Sequence, residues 1–167
     1  ATEAALTASE DVSTLDGRVA ALEMATEPSY GEIYEDNETG SAITLTSNAA
    51  FYPWVTGGAG TLKGTGYVTE DTSTLVVGAS GAGLYQVFAH FAGTLAAANE
   101  LKAAVFKNEV EQGHLRIDQD ITNTAKYQNG SMAGLLALVE GDIVSLRFSS
   151  DTNTQTFTLK HCNLSIV

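Results

Sequence analysis

The sequence predicts an all-β sandwich preceded by a short α-helical segment, and three observations carry that expectation. Between Ala5 and Leu22 apolar residues step by three and four, a heptad rhythm. Past Ser41 that rhythm stops, and short apolar alternations recur between clusters of Gly, Asn, Asp, Ser and Thr, the signature of an antiparallel sandwich. Charge divides the chain at the same place. Residues 1–40 hold ten acids and one base, a net −9, while the remaining 127 hold ten acids and seven bases, a net −3.

The helix comes first. Thr7-Ala8-Ser9-Glu10 fits a capping box, and Glu27-Pro28 supplies the stop, because proline cannot donate and disfavours helical geometry before it. Ala5, Ala8, Val12, Leu15, Val19 and Leu22 fall at successive a and d positions. A lone helix of this length is marginal in water, and Gly17 inside it costs about 1 kcal/mol against Ala, so it needs a surface to pack on. Arg18 at g and Glu23 at the following e have the spacing at which parallel strands exchange salt bridges. The reading is a coiled-coil neck over residues 1–27, with Val12, Leu15, Arg18, Val19, Leu22 and Glu23 as its contacts; a helix docked on its own domain is the alternative. Gly31 to Gly40 reads as a polar linker or extended arm, which puts a linker at 28–40 and a head domain at 41–167.

Within the head, the candidate strands are 42–46, 75–78, 84–95, 101–107, 113–121, 131–139, 143–149 and 156–167. Neither of the two prolines falls in these runs. Alternation assigns faces. Tyr85, Val87, Ala89, Phe91 and Leu95 share one side, with Phe88 and His90 on the other. Leu115, Ile117, Gln119 and Ile121 oppose His114, Arg116, Asp118 and Asp120. Val144, Leu146 and Phe148 oppose Ile143, Ser145 and Arg147. Because the strand at 84–95 is apolar on both sides, its second face calls for cover beyond its own sandwich, as an oligomer would give. Residues 96–104 have helix-forming composition, but Ala98-Asn99 between two strong strands reads as a hairpin turn.

Several function classes are disfavoured outright. A net charge of −12 argues against nucleic acid, whose phosphates need clustered Lys and Arg. No apolar run approaches the roughly 20 residues of a membrane span. The single cysteine, Cys162, permits no intrachain disulfide and no cysteine zinc cluster, and it shares a face with Leu164 and Ile166, as a buried thiol would. Gly78–Gly83 precedes a strand and lacks a following Lys, so it is a turn and not a phosphate loop; the Gly-rich stretch 56–66 is a surface loop. His90, His114 and His161 lie in different strands at no metal-ligand spacing, so neither a metal nor another cofactor is expected, although three His90 rings about a threefold axis could hold an ion. Asp118 and Asp120 beside Arg116 read as a solvated face, and the three Asn-x-Ser/Thr triplets as accidents of a Ser- and Thr-rich chain. The chain opens on Ala1 with no Met and no basic-then-apolar leader, which points to a piece of something longer.

Two resemblances sharpen this. Arg18-Val19-Ala20-Ala21-Leu22-Glu23 resembles the short trimerisation pattern of necks that precede globular heads in fibrous viral and bacterial surface proteins. Gly83-Leu84-Tyr85-Gln86-Val87, then Val105-Phe106-Lys107-Asn108, then Leu138-Val139-Glu140-Gly141-Asp142-Ile143-Val144-Ser145-Leu146, and a closing strand through Leu164 and Ile166 resemble the tumour necrosis factor and complement-globular-head family, in its disulfide-free bacteriophage-fibre and spore-surface versions. That resemblance implies a ten-stranded, two-sheet jelly-roll sandwich that assembles as a homotrimer. Phe51-Tyr52-Pro53-Trp54 and the Gly-rich stretch after it depart from the family's pattern.

The functional expectation is a non-enzymatic viral structural protein. It would be the C-terminal trimeric head of a bacteriophage tail or head fibre, on the virion surface, joined to other virion proteins through its N-terminus and attached to host-surface glycans. Phe88, His90 and Phe106 are the expected trimer contacts in the head, and Trp54, His114, Arg116, Tyr127 and Asn129 the expected receptor contacts, since aromatics stack on sugars while Asn and Arg hydrogen-bond them. The alternatives are a capsid decoration or spore-surface trimer without receptor binding, and a glycan depolymerase using Asp118, Asp120 or Asp142.

Overall fold

A computed structural model describes residues 14–16, 18, 29–46, 50–54, 62–65, 68–71, 73–151 and 154–167. Eleven strands follow in order: β1 (Tyr30–Leu45), β2 (Tyr52–Pro53), β3 (Leu62–Thr65), β4 (Val68–Asp71), β5 (Thr74–Val77), β6 (Gly83–Leu95), β7 (Asn99–Lys107), β8 (Val110–Ile121), β9 (Gln128–Leu138), β10 (Ile143–Ser150) and β11 (Gln155–Ile166). They build two antiparallel sheets. The first runs β3-β1-β11-β6-β9, and the second β4-β5-β10-β7-β8 with β2 attached to β10. The chain crosses repeatedly between them, so most pairings join strands distant in sequence, as in a jelly roll.

The alternation read from the sequence places the core. Tyr85, Val87, Ala89, Phe91 and Leu95 of β6 are buried, as are Leu115 and Ile121 of β8, Val144, Leu146 and Phe148 of β10, and Phe157, Leu159, Cys162, Leu164 and Ile166 of β11. At the centre, Phe91 meets Phe148 edge-on with ring centroids 5.2 Å apart, and Phe157 completes the group at 5.0 Å from Phe148. Such pairs add about 1 kcal/mol each beyond the area they bury. Gly93 makes room for them: a Cβ there would lie 2.8 Å from the Phe157 ring and 2.4 Å from the Thr158 carbonyl oxygen. Residues 96–98 form the expected turn between β6 and β7.

Three expectations are corrected. Residues 30–40 are not a linker; they are the first two-thirds of β1, paired with β11 from Gly31 opposite Ile166 to Asp36 opposite His161. Ile33 is fully buried there, and Gly31 lets the strand press against Val68, whose Cγ1 would lie 2.4 Å from an added Cβ. The head therefore starts by Tyr30. Trp54 is also fully buried, carried into the core by the attachment of β2 to Arg147 and Phe148 of β10, so it is no receptor contact. Eleven strands are described where the resemblance implies ten, and one of them, β3, lies in the stretch expected to be a surface loop.

Of the neck, residues 14–16 and 18 are helical, with Leu15 and Arg18 exposed. The capping box, Val12, Val19, Leu22, Glu23 and Pro28 lie outside the described residues, as does most of the 56–66 loop.

Candidate functional site

The outward faces of the two sheets differ, and the candidate site is on the first. Register partners in antiparallel strands point to the same side. Leu84 pairs with Ala137, Gln86 with Leu135, Phe88 with Ala133 and His90 with Ser131, which gathers the outward residues of β6 and β9 into one patch. Leu84 is 67% exposed, Leu135 56% and Phe88 39%, so three large apolar side chains face solvent side by side. A shallow hollow of about 260 Å³ between Phe88, His90, Ser131 and Ala133 roughens the patch. Val139 and Val167 are exposed as well.

Beyond β6 the same face turns polar. His90 pairs with Asn163 of β11, which pairs with Tyr34 of β1; two residue pairs further along, on the same face, His161 faces Asp36. Glu32, Tyr34, Asp36, His90, His161 and Asn163 line a cavity of about 530 Å³. Beneath it Glu35 is buried and accepts the Ser41 hydroxyl at 2.8 Å. Cys162 is buried too; burial first, and then the Glu35 charge, push its thiol well above the usual range, which leaves it protonated and inert.

The second sheet covers its outward phenylalanine, although Ile143 of β10 and Val110 of β8 stay exposed. Phe106 is only 7% exposed, with Phe51 packed against it at a tilt, ring centroids 5.1 Å apart, and the Arg147 guanidinium over its ring at 4.7 Å. Of the three expected trimer contacts, the structure brings Phe88 and His90 together and puts Phe106 on the opposite sheet under its own cover. Arg147 in turn bonds Glu109 with two nitrogens. Arg116 donates to both oxygens of Asp118 at 2.7 and 3.0 Å and to Glu111 at 2.9 Å.

At one end, the Gly141-Asp142 turn meets the β7–β8 turn. Asp142 accepts the Val139 N–H at 2.7 Å, Lys107 Nζ at 2.8 Å and an Asn108 amide hydrogen. Burial by itself would raise its carboxyl, but these donors outweigh it and hold the group below the ordinary aspartate range. Its oxygens are thus occupied by structural donors and Asp118 is paired to Arg116, while Asp120, the third carboxylate named for a depolymerase, is exposed on β8.

The remaining receptor candidates are exposed along β8 and the start of β9: His114, Arg116, Tyr127 and Asn129. Two of them also close the gap between the sheets. His114 Nε2 lies 3.2 Å from the Leu135 carbonyl oxygen, and the Asn129 carbonyl accepts from Gln119 at 2.7 Å. With Lys107 on the Ala137 carbonyl at 2.8 Å, these contacts occupy the outer edge of β9 and keep it from pairing with a foreign strand. The polar cluster at Asp36 and His161 was not anticipated, because it depends on pairing residues 125 positions apart.

Comparison with known proteins gives a likeness in fold alone. No known family profile matches the sequence, and no curated protein matches it. Among solved structures, Eiger TNF from S. frugiperda superposes with a TM-score of 0.57 at 14% identity, covering 84% of this chain and 92% of its own. The PRD1 vertex protein P5 gives 0.57 at 10% identity, covering 83% and 94%, and murine APRIL 0.52 at 10%, covering 82% and 97%. The chain thus has the tumour-necrosis-factor-type jelly-roll fold. Among the described residues no helix is long and apolar enough to cross a membrane.

Proposed function

We propose that the chain is a viral structural protein: the trimeric head of a bacteriophage fibre, whose first sheet packs about a threefold axis and whose other surfaces meet the host. The observation that carries this reading is the uncovered apolar patch of Leu84, Phe88 and Leu135 on a face whose counterpart hides its own aromatic. An exposed patch of this kind marks an interaction surface, and a second and third copy would cover it. Likeness to a phage vertex protein supports a place on the virion. Leu15, helical and 56% exposed, supports a neck that associates along its d positions. The host-facing contacts are then His114, Arg116, Tyr127 and Asn129, along the β8–β9 side of the head.

Sedimentation at micromolar protein tests assembly: the expected mass is that of three chains, and a monomer overturns the reading. A glycan array on the assembled head then tests attachment. Reproducible hits, lost on Tyr127→Ala, support host binding; a trimer that binds nothing on the array or on host cells is a decoration without a receptor.

A further inference from the structure

The polar end of the first sheet carries a chemistry that assembly does not require. β1 loses register with β11 between Asp36 and Ser41, and β11 loses register with β6 between Leu159 and His161, so the two irregularities lie side by side. The excursion of β1 is built to one shape. Asn37 Oδ1 accepts the N–H groups of Thr39 and Gly40 at 3.0 and 3.2 Å, Gly40 takes φ of +86°, and Lys160 donates to the Glu38 carbonyl. A side chain at Gly40 would strike Thr158, 2.5 Å away. This shape brings Glu38 over β11, where His161 stands between two acids: Nδ1 is 2.9 Å from Asp36 Oδ1, and Nε2 is 3.9 Å from Glu38 Oε1.

We propose that Asp36, Glu38 and His161 bind one divalent transition-metal ion of the zinc class. One donor atom from each residue lies within 4.8 Å of the other two. Zinc–nitrogen and zinc–oxygen bonds of about 2.1 Å, set 90–110° apart, span about 3.0–3.4 Å. The Asp36–His161 pair already has nearly that span. The ligating nitrogen is then Nδ1, on the Asp36 side, and the exposed Glu38 carboxylate, which now lies nearer Nε2, swings round to the same side. An imidazole nitrogen with two carboxylates suits zinc or its first-row neighbours better than calcium or magnesium, which favour all-oxygen shells. Water fills the remaining positions, and the 530 Å³ cavity beside the cluster gives it access. The ion takes the place of the contact between His161 Nδ1 and Asp36.

The test is calorimetric titration of zinc chloride into the full chain. The expected result is one ion per chain with Kd of about 1–10 μM, as for an exposed three-ligand site, and no competition from millimolar magnesium or calcium. His161→Gln weakens binding by about 30-fold or more and Glu38→Gln by about 10-fold, while His114→Gln, an exposed imidazole on β8, leaves it unchanged. Cobalt gives visible d–d absorption that His161→Gln removes. No stoichiometric binding at 100 times that Kd, or equal affinity in Glu38→Gln, overturns the proposal; if His161→Gln loses its far-ultraviolet signal, the Glu38 variant alone decides. The sedimented mass is recorded on the same samples, so failure of zinc binding in an intact trimer strikes this site only, and a monomer that binds zinc strikes the assembly reading only.

Discussion

The two outward sheet faces are made of similar residues and end in opposite conditions. Each holds a phenylalanine in the middle of a central strand, Phe88 on β6 and Phe106 on β7. Phe106 is hidden by Phe51 and Arg147, and around it run the ion pairs of Arg116 and Lys102. Phe88 has only Ala133 of β9 and Ser165 of β11 directly opposite it, and it stays 39% exposed near Leu84 and Leu135. What separates them is not the strand but what the rest of the chain lays over it. Phe51, just ahead of β2, lays its ring against Phe106, and no described segment does the same for Phe88. An apolar face left open in this way is the one that the proposed threefold packing would cover.

The sharpest way to break this contrast is Phe88→Glu. A carboxylate forced into an apolar contact costs several kcal/mol and appears once per copy, so assembly weakens by roughly 100-fold or more, while the half-exposed position leaves monomer folding nearly unaffected. Sedimentation and a thermal melt measure the two separately; an unchanged mass would place the contact elsewhere. Phe106→Ala is its mirror image. It empties a covered site and costs about 3 kcal/mol of folding stability. Denaturant titration reads that loss, and the sedimented mass below the transition stays the same.

Much of this contrast was legible in the sequence. The alternations of β6 and β10 put Phe88 and His90 outward and Phe91 and Phe148 inward, because a period of two assigns faces whatever the partner strand is; β11 changes phase between Leu159 and His161, and Phe157 could not be placed that way. Cover is not a local property, and there the reading failed. Phe106 looked available because the Phe51 and Arg147 that hide it come from 55 and 41 positions away. Trp54 looked exposed in a stretch without alternation, and it is buried because two residues of β2 hydrogen-bond to β10. The acidic run at 30–40 resembled a linker because only Ile33 marks a core side there; its polar residues are satisfied by β11, at the far end of the chain. The cluster at Asp36, Glu38 and His161 was invisible for the same reason.

Asp142 tests the corner that both faces share. Replacing it with Asn leaves Lys107 without its carboxylate and one donor without an acceptor, a loss of about 2 kcal/mol. The pH dependence follows from the sign of its shift. A carboxyl held low in the folded state contributes stability above its unfolded pKa of about 3.9, and that contribution disappears as pH falls through the lower, folded value. The stability gap between parent and Asp142→Asn in chemical unfolding should therefore narrow from pH 7 to pH 3. A gap of constant size would mean that shape, and not charge, is what the turn needs.

The smallest expected effect is on the face that needs no partner. Arg116 bonds Asp118 through both oxygens and also reaches Glu111, which together hold its guanidinium firmly protonated, yet the side chains involved are about a third exposed. Ion pairs in such a setting contribute about 0.5 kcal/mol or less, because water already solvates the separated charges and salt screens the joined ones. Arg116→Ala should shift the denaturation midpoint barely above error, less still in high salt, and leave the sedimented mass untouched. A large change in mass would make the second sheet a contact surface despite its cover. A loss of glycan or host-cell binding with mass and stability intact would instead give this self-satisfied face its use: charges arranged to need nothing from the fold are free to meet a ligand.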